Sequence, residues 1–510
     1  MDSVVSVNPR DGSTAEVVAL ASDAEEVDRV CRASAVAARD LQAMSHAQRA
    51  EMLVRVAAAL DREAGDLIGI ADRETALGET RLAGELARTT NQLRLFANVI
   101  TDTACFEAVI DHADAGSSPP APDLRKLLVP LGPVAVFGAS NFPFAFSVAG
   151  GDTASAWAAG CSVVVKAHSA HPALSSRVTS VIRSELERAG LNPDILTIVY
   201  GRDSGRVLVQ HPLIQAVGFT GSEAGGRTLM DLAAMRPSPI PVYAEMGSLN
   251  PLVVSPGSTG KTEELAVGIS GSLLLGHGQF CTKPGLLFIP QGEAGDRLVE
   301  AVSDAIVQAG AAYMLSMGIR DAFVQNVAAL AGLGGVTSLV APSATDESSS
   351  QATGALAQAD ARYVMEEPSV MTECFGPAAL VVRYESLDDL LPAVDAVPPS
   401  LTLSIHAGEE EAAFAASIIE LGRQRAGRII INGFPTGVAV NWAQHHGGPY
   451  PASSSAMFSS VGASAIRRFL KPVAFQNFPD SWLPMELQES NPLHFTRRVD
   501  GQLRIGQTGN

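Results

Sequence analysis

Cys281 lies in the stretch Gly276-His277-Gly278-Gln279-Phe280-Cys281-Thr282-Lys283-Pro284. Glycines let a backbone pass tightly through a site, and Pro284 ends any regular element and fixes the local path. A thiol presented in such a loop can attack a carbonyl as its thiolate. A small, buried, apolar cysteine fits the same spacing, so the loop alone leaves both readings open. A carboxylate stands beside a glycine in Ala244-Glu245-Met246-Gly247. Apolar surroundings raise a carboxyl pKa toward neutrality and make the group a usable base; a paired structural glutamate is the alternative. In Ser140-Asn141-Phe142-Pro143 the amide can donate to an oxyanion or serve a turn.

These groups need elements to position them. From residue 132 short apolar runs alternate with helical stretches. Val134–Phe137, 162–165, 195–199 and 216–219 read as buried strands, with helices over 148–159, 173–189 and 204–210. Such alternation predicts a parallel sheet covered on both faces, whose ligands bind beyond the carboxyl ends of the strands. Lys166 ends one strand, facing that crevice or bulk solvent. Phe219-Thr220-Gly221-Ser222, with Gly226 further on, joins a strand to a helix N-terminus where an anion is favoured; an ordinary tight turn reads the same way. The pattern restarts near 250, with strands over 251–254 and 285–289 and helices over 261–275 and 293–309. Glu373 and Phe375 lie in a loop before the strand 379–382, where a carboxylate can accept from ribose hydroxyls and a ring can pack on a flat group. The expected N-terminal helices are 22–43, 45–72 and 79–103, with Ser22 and Ser45 as N-caps. They form either a separate unit or the opening layer of the first α/β domain. The breaker cluster 116–122 predicts the tip or root of a hairpin, and the Ser/Ala-rich segment 342–360 a surface insertion.

The 510 residues exceed one ordinary core. A formal charge of −18 argues against nucleic acid and anionic membranes as partners. The five cysteines are sparse and unpaired in spacing, which suits a reducing cytoplasm. No leader and no long apolar run are evident. His168, His171, His445 and His446 lack metal-ligand spacing, so no metal is expected.

In this order the motifs resemble the aldehyde dehydrogenases, over about residues 5–480. The resemblance makes Cys281 the nucleophile, Glu245 the base and Asn141, with the Cys281 backbone N–H, the oxyanion donor. It makes Lys166, His168, Ser169, Gly221, Ser222, Gly226, Glu373 and Phe375 the cofactor-binding set, to which Arg202 is added by its place just past the strand 195–199, facing the same crevice. It implies an α/β fold of two doubly wound Rossmann-like domains with a small β oligomerisation arm. The expected divisions are 1–110 with 130–247 for the NAD(P)-binding domain and 248–440 for the catalytic domain. The arm is 111–129 with 470–490, 441–469 returns to the cofactor domain, and 491–510 is a tail. A homodimer or homotetramer follows.

One departure stands out. Many members carry Trp-Lys where this chain has Ala149-Gly150. The stretches 150–156, 166–168, 446–451 and 499–501 resemble the subgroup of α-ketoglutarate-semialdehyde (2,5-dioxovalerate) and NADP-dependent fatty aldehyde dehydrogenases. Hence the expected substrate is that semialdehyde, with long-chain aldehydes as the alternative. NADP is the expected cofactor, with NAD accepted. Ser169 stands where NAD-selective members commonly carry a glutamate. It leaves room for a 2′-phosphate that Lys166 and Arg202 can meet.

Overall fold

Short runs of buried β-branched residues build the first sheet. In the computed structural model of the chain, which describes residues 2–344 and 348–506, its five strands run in the order Leu196–Val199, Val163–Lys166, Val134–Phe137, Ala216–Thr220 and Val242–Glu245, all parallel. Helices Gly151–Ala159, Pro172–Arg188, Arg202–Gln210 and Glu223–Ala234 join them. Parallel order puts every carboxyl end at one edge, so Lys166, Thr220 and Glu245 finish their strands there.

The N-terminal helices belong to this unit. Leu53, Val56, Leu82, Leu93 and Phe96 share one apolar cluster with Trp157 and Val163, so they are the opening layer of the sheet. Two local expectations change. The helix expected over 45–72 is two helices, His46–Arg62 and Ala64–Thr75, separated at Glu63. The first helix starts at Ala24 with Asp23, not Ser22, as its cap; the Ser22 hydroxyl instead accepts from Tyr200 N. Ser45 does cap its helix, in a reciprocal pair with Gln48.

The second sheet has seven strands, in the order Thr337–Val340, Ala355–Asp360, Ala378–Tyr384, Leu286–Pro290, Leu252–Val254, Ser400–His406 and Ala426–Ile431. Apolar clusters lie on both of its faces. Here the surface insertion expected over 342–360 fails in its second half. Ala355–Asp360 is an inner strand with Ala355, Leu356, Ala357 and Ala359 buried. Small alanines lack the bulk that marks a strand in sequence, yet they fit between closely packed layers. Residues 345–347 of that segment lie outside the described residues.

A third sheet runs Leu470–Gln476, Leu124–Pro130, Ala108–Asp111, Arg497–Val499 and Gln502–Arg504. The cluster 116–122 lies between its antiparallel strands Ala108–Asp111 and Leu124–Pro130, the expected hairpin. Residues from the expected tail widen it: Arg497–Val499 pairs in parallel with Ala108–Asp111. Its Arg497 is buried and donates to the carbonyls of Gln488 and Glu489. Residues 507–510 of that tail lie outside the described residues. Among those described, no helix is long and apolar enough to cross a membrane.

Glu74 ties the helical layer to the sheet. It is buried, and its two carboxylate oxygens accept from Ala173 N and Leu174 N, each at 2.9 Å. These are free donors of the first turn of Pro172–Arg188, whose own N-cap His171 offers no side-chain bond. Glu74→Ala strands both donors in the interior. The expected loss is about 2 kcal/mol or more, read by urea unfolding followed through Trp157 fluorescence. An unchanged midpoint would show that the tie carries no stability.

Candidate active site

Gly276, His277 and Gly278 adopt consecutive left-handed conformations, with φ of 57°, 55° and 67°, just after helix Thr262–Leu274. A Cβ on Gly278 would lie 2.3 Å from the Gly376 carbonyl carbon. The cysteine loop and the 373–377 loop therefore pack backbone on backbone, which only glycine permits. Two further ties fix the cysteine. Lys283 is buried and donates from Nζ to the Ala378 carbonyl at 2.6 Å and that of Cys374 at 3.3 Å. Asn250 donates from Nδ2 to the carbonyls of Cys281 at 2.7 Å and Lys283 at 2.9 Å.

Cys281 Sγ stands 3.5 Å from His446 Nε2. The same nitrogen stands 2.8 Å from Glu245 Oε1, and the other Glu245 oxygen accepts from the Ser460 hydroxyl. Residues 452–454 bring this about by running beside the strand Val242–Glu245: Met246 N donates to Ala452 O, and Ser454 N to Ala244 O. His446 and Glu245 are buried, and Cys281 is half-buried with its exposed part on a pocket. Burial raises the thiol pKa well above its ordinary value, and the charges of Glu245 and Glu373 add to the rise. The expected rise at Glu245 does not occur. Burial does push its carboxyl up, but the His446 charge and hydrogen bond, then Ser460 and Arg468, outweigh that and hold it below the usual range. Glu245 is therefore held ionised beside the His446 ring.

In the sequence His446 stood out only as a non-metal histidine and as the start of the subgroup stretch 446–451, and Asn250, Lys283 and Ser460 carried no assigned role. No spacing signal links 245, 281 and 446, whose ligand-type atoms lie within 4.8 Å of one another. Asn141 is buried beside Cys281, and its Nδ2 donates to Gln279 O at 3.0 Å, leaving its second N–H for an oxyanion. Gly150 has no room for the side chain that many family members carry. A Cβ there would lie 2.5 Å from the Ala145 carbonyl oxygen.

The pocket has a volume of about 710 Å³ and runs from Cys281 and Asn141 past Met246, Gly247, Glu373 and Phe375 to Gly221, Ser222, His168 and Ser169. Lys166, Arg202 and Gly226 are not on its wall. Lys166 and Arg202 lie within electrostatic reach of each other; burial lowers the Lys166 pKa and the Arg202 charge lowers it further. Gly226 sits under Met246. Burial pushes His168 down to about 3, so it serves as a neutral ring. The wall opposite comes from Val7, Pro9 and the start of helix Met317–Ala331, none of which the sequence singled out.

The family model described as the aldehyde dehydrogenase family matches residues 2–471. The chain belongs to that family. It is 44% identical over 492 residues to alpha-ketoglutaric semialdehyde dehydrogenase 2 of Azospirillum brasilense, covering 96% of this chain and 93% of the relative. It is 40% identical over 503 residues to the alpha-ketoglutaric semialdehyde dehydrogenase of Acinetobacter baylyi, covering 98% and 95%. The crystal structure of lactaldehyde dehydrogenase from Escherichia coli superposes with a TM-score of 0.79 at 19% identity, over 93% of this chain and 96% of that one. As an aldehyde dehydrogenase the chain is an oxidoreductase that uses NAD(P) and acts on aldehydes. The pocket fits such a dinucleotide. A helix N-terminus opens on it at Ser222, a Cβ on Gly247 would overlap Glu373, and Phe375 offers a flat wall.

The thiol chemistry should depend on His446. A raised thiol pKa means that the thiolate fraction grows with pH, and a ring able to take the thiol proton supplies thiolate at lower pH. His446→Gln should move the acidic limb of kcat/KM up by about one pH unit or more, with alkylation of Cys281 by iodoacetamide shifting in parallel. A limb that stays in place would remove His446 from thiol activation.

Proposed function

We propose that the enzyme oxidises α-ketoglutarate semialdehyde (2,5-dioxovalerate) to α-ketoglutarate through a thioester on Cys281. The line Cys281–His446–Glu245, opening on the pocket, is the observation that carries the chemistry. His446 takes the thiol proton, and the Glu245 carboxylate stabilises the imidazolium. The thiolate adds to the aldehyde carbon. The second Asn141 N–H and the Cys281 backbone N–H hold the resulting oxyanion. A nicotinamide cofactor, which Gly221, Ser222, Glu373 and Phe375 on the pocket wall would hold, would supply the hydride acceptor, and the acyl group would stay on sulfur. Once His446 has released the thiol proton to solvent, it draws a proton from water with Glu245 beside it; the hydroxide attacks the thioester, the thiolate leaves and takes that proton back from His446, and the acid is freed.

The substrate reading is supported by the 44% and 40% identities to the two semialdehyde dehydrogenases. Its test is kcat/KM for 2,5-dioxovalerate against aliphatic aldehydes of eight to twelve carbons. An advantage of about tenfold or more is expected for the oxo acid, and an advantage for the long chains would reverse the assignment.

NADP is the proposed cofactor. Ser169 brings a hydroxyl and no charge to the wall, and the charges of Lys166 and Arg202 reach each other. A carboxylate at 169 would repel a 2′-phosphate at close range. Ser169→Glu should swing preference toward NAD, and Arg202→Ala should weaken NADP far more than NAD, measured as the ratio of kcat/KM for the two. A ratio unmoved by both changes would end this reading of the pocket.

A homo-oligomer is proposed as well. Leu470–Gln476 is an open edge strand, and Phe478, Trp482 and Met485 nearby are exposed, the profile of an edge awaiting a partner. The free cysteines support a reducing, cytoplasmic setting.

A further inference from the structure

An anion-seeking group lies behind the nucleophile, on elements that the cofactor pocket does not use. Phe142 and Phe146 follow Asn141. The Phe142 ring packs edge-on to Phe280 at 4.9 Å and to Phe146 at 5.3 Å, and Phe146 reaches the His446 ring at 6.3 Å. Val438 and Val440 pack on this apolar patch. Arginines ring it. Arg81 lies over Phe280 at 4.8 Å and over Phe142 at 5.4 Å, and Arg88 lies over Phe146 at 5.3 Å. Arg88 Nε donates to Val438 O at 3.3 Å. From the strand Ala426–Ile431, Arg428 donates to Pro435 O at 2.7 Å and Gly437 O at 3.3 Å. Two guanidiniums from different elements thus grip one turn, 435–438, which rests on the aromatic residues beside the catalytic asparagine.

Among the described residues, none of Arg81, Arg88 and Arg428 has a carboxylate within ion-pair distance. Arg81 Nη1, Arg88 Nη1 and Arg428 Nε are buried donors without acceptors. Glu85 interacts electrostatically with Arg81 and Arg88, and Glu245 with Arg88. One of the Glu85 oxygens is committed to Phe144 N and Ala145 N. Burial disfavours the charge on Arg88 and Arg428, while the Cys281 charge favours it on both, so each guanidinium lies within electrostatic reach of the reacting sulfur. Arg81 is also held to the Asn141 carbonyl at 2.8 Å, which suits a positioning role. Arg88 and Arg428 have donors left over, in a chain of formal charge −18. Buried, unfilled donors on a cation are costly unless a ligand completes them.

We propose that Arg88 and Arg428 form the subsite that receives the carboxylate of the substrate. The aldehyde carbon then lies at Cys281 and the acid end points toward the turn 435–438. This inference rests on the substrate reading above. A planar guanidinium presents paired donors that match a carboxylate, and the aromatic walls of Phe142 and Phe146 suit the chain between the two ends.

The test compares 2,5-dioxovalerate with pentanal, as the ratio of their kcat/KM values. In wild type the ratio should be well above one. Arg88→Met should lower it by about 30-fold, mainly through KM for the oxo acid, and Arg428→Met by about 10-fold. If Arg88→Met does not fold, Arg88→Lys keeps the charge without the planar fork and should lower the ratio by about fivefold. A wild-type ratio below one overturns the substrate reading and this subsite with it. A high wild-type ratio that Arg88 and Arg428 variants leave unchanged, with both substrates falling together, overturns the subsite alone and leaves the arginines as braces of the turn.

Discussion

The centre of this enzyme depends on one nitrogen that faces two acids. His446 Nε2 lies between the thiol of Cys281 and the carboxylate of Glu245. A proton on it can serve either neighbour. In the proposed mechanism, thiol activation and water activation meet at one ring. Removing the carboxylate leaves the imidazolium without its partner, and removing the ring leaves a buried thiol whose pKa burial has raised. The depressed pKa of Glu245 follows from the same contact, since a carboxylate beside a prospective cation stays ionised even in the interior.

Holding that arrangement takes rigid material on both sides. Cys281 is carried by the second sheet through Asn250, Lys283 and the backbone contact of Gly278 with Gly376. Glu245 finishes a strand of the first sheet, and the 452–454 segment beside it carries His446 into place. The reacting pair is thus assembled across two sheets, and each half has its own fastening. A loop nucleophile gains the precision of a sheet because its carbonyl and its neighbours are hydrogen-bonded to buried side chains.

Much of this was legible in the sequence. Apolar runs marked four of the five strands of the first sheet to within a residue or so, because both faces of a parallel strand are covered, while Val242–Glu245 was not among them. Local setting left two readings open for each of Cys281, Glu245 and Asn141, and the raised Glu245 pKa expected from its apolar neighbours fails because His446 lies beside it. What escaped was whatever depends on long-range return of the chain. His446 is 165 residues from Cys281, and nothing in its neighbourhood announces a partner. Ala355–Asp360 escaped for a different reason: alanine carries little periodic signal, so a buried strand of small residues reads as a loop. Arg497–Val499 was missed because its partner Ala108–Asp111 is far away in the chain, and Gln502–Arg504, which pairs with Arg497–Val499, was missed with it.

Gly150 carries a consequence for redesign. Its position presses the helix start against the Ala145 carbonyl, so any side chain there would displace backbone. A lysine at 150 would have to move the 145–147 backbone with it, and that backbone follows directly on Asn141, Phe142 and Phe144. A second cation beside the thiol therefore has to be carried in on another element.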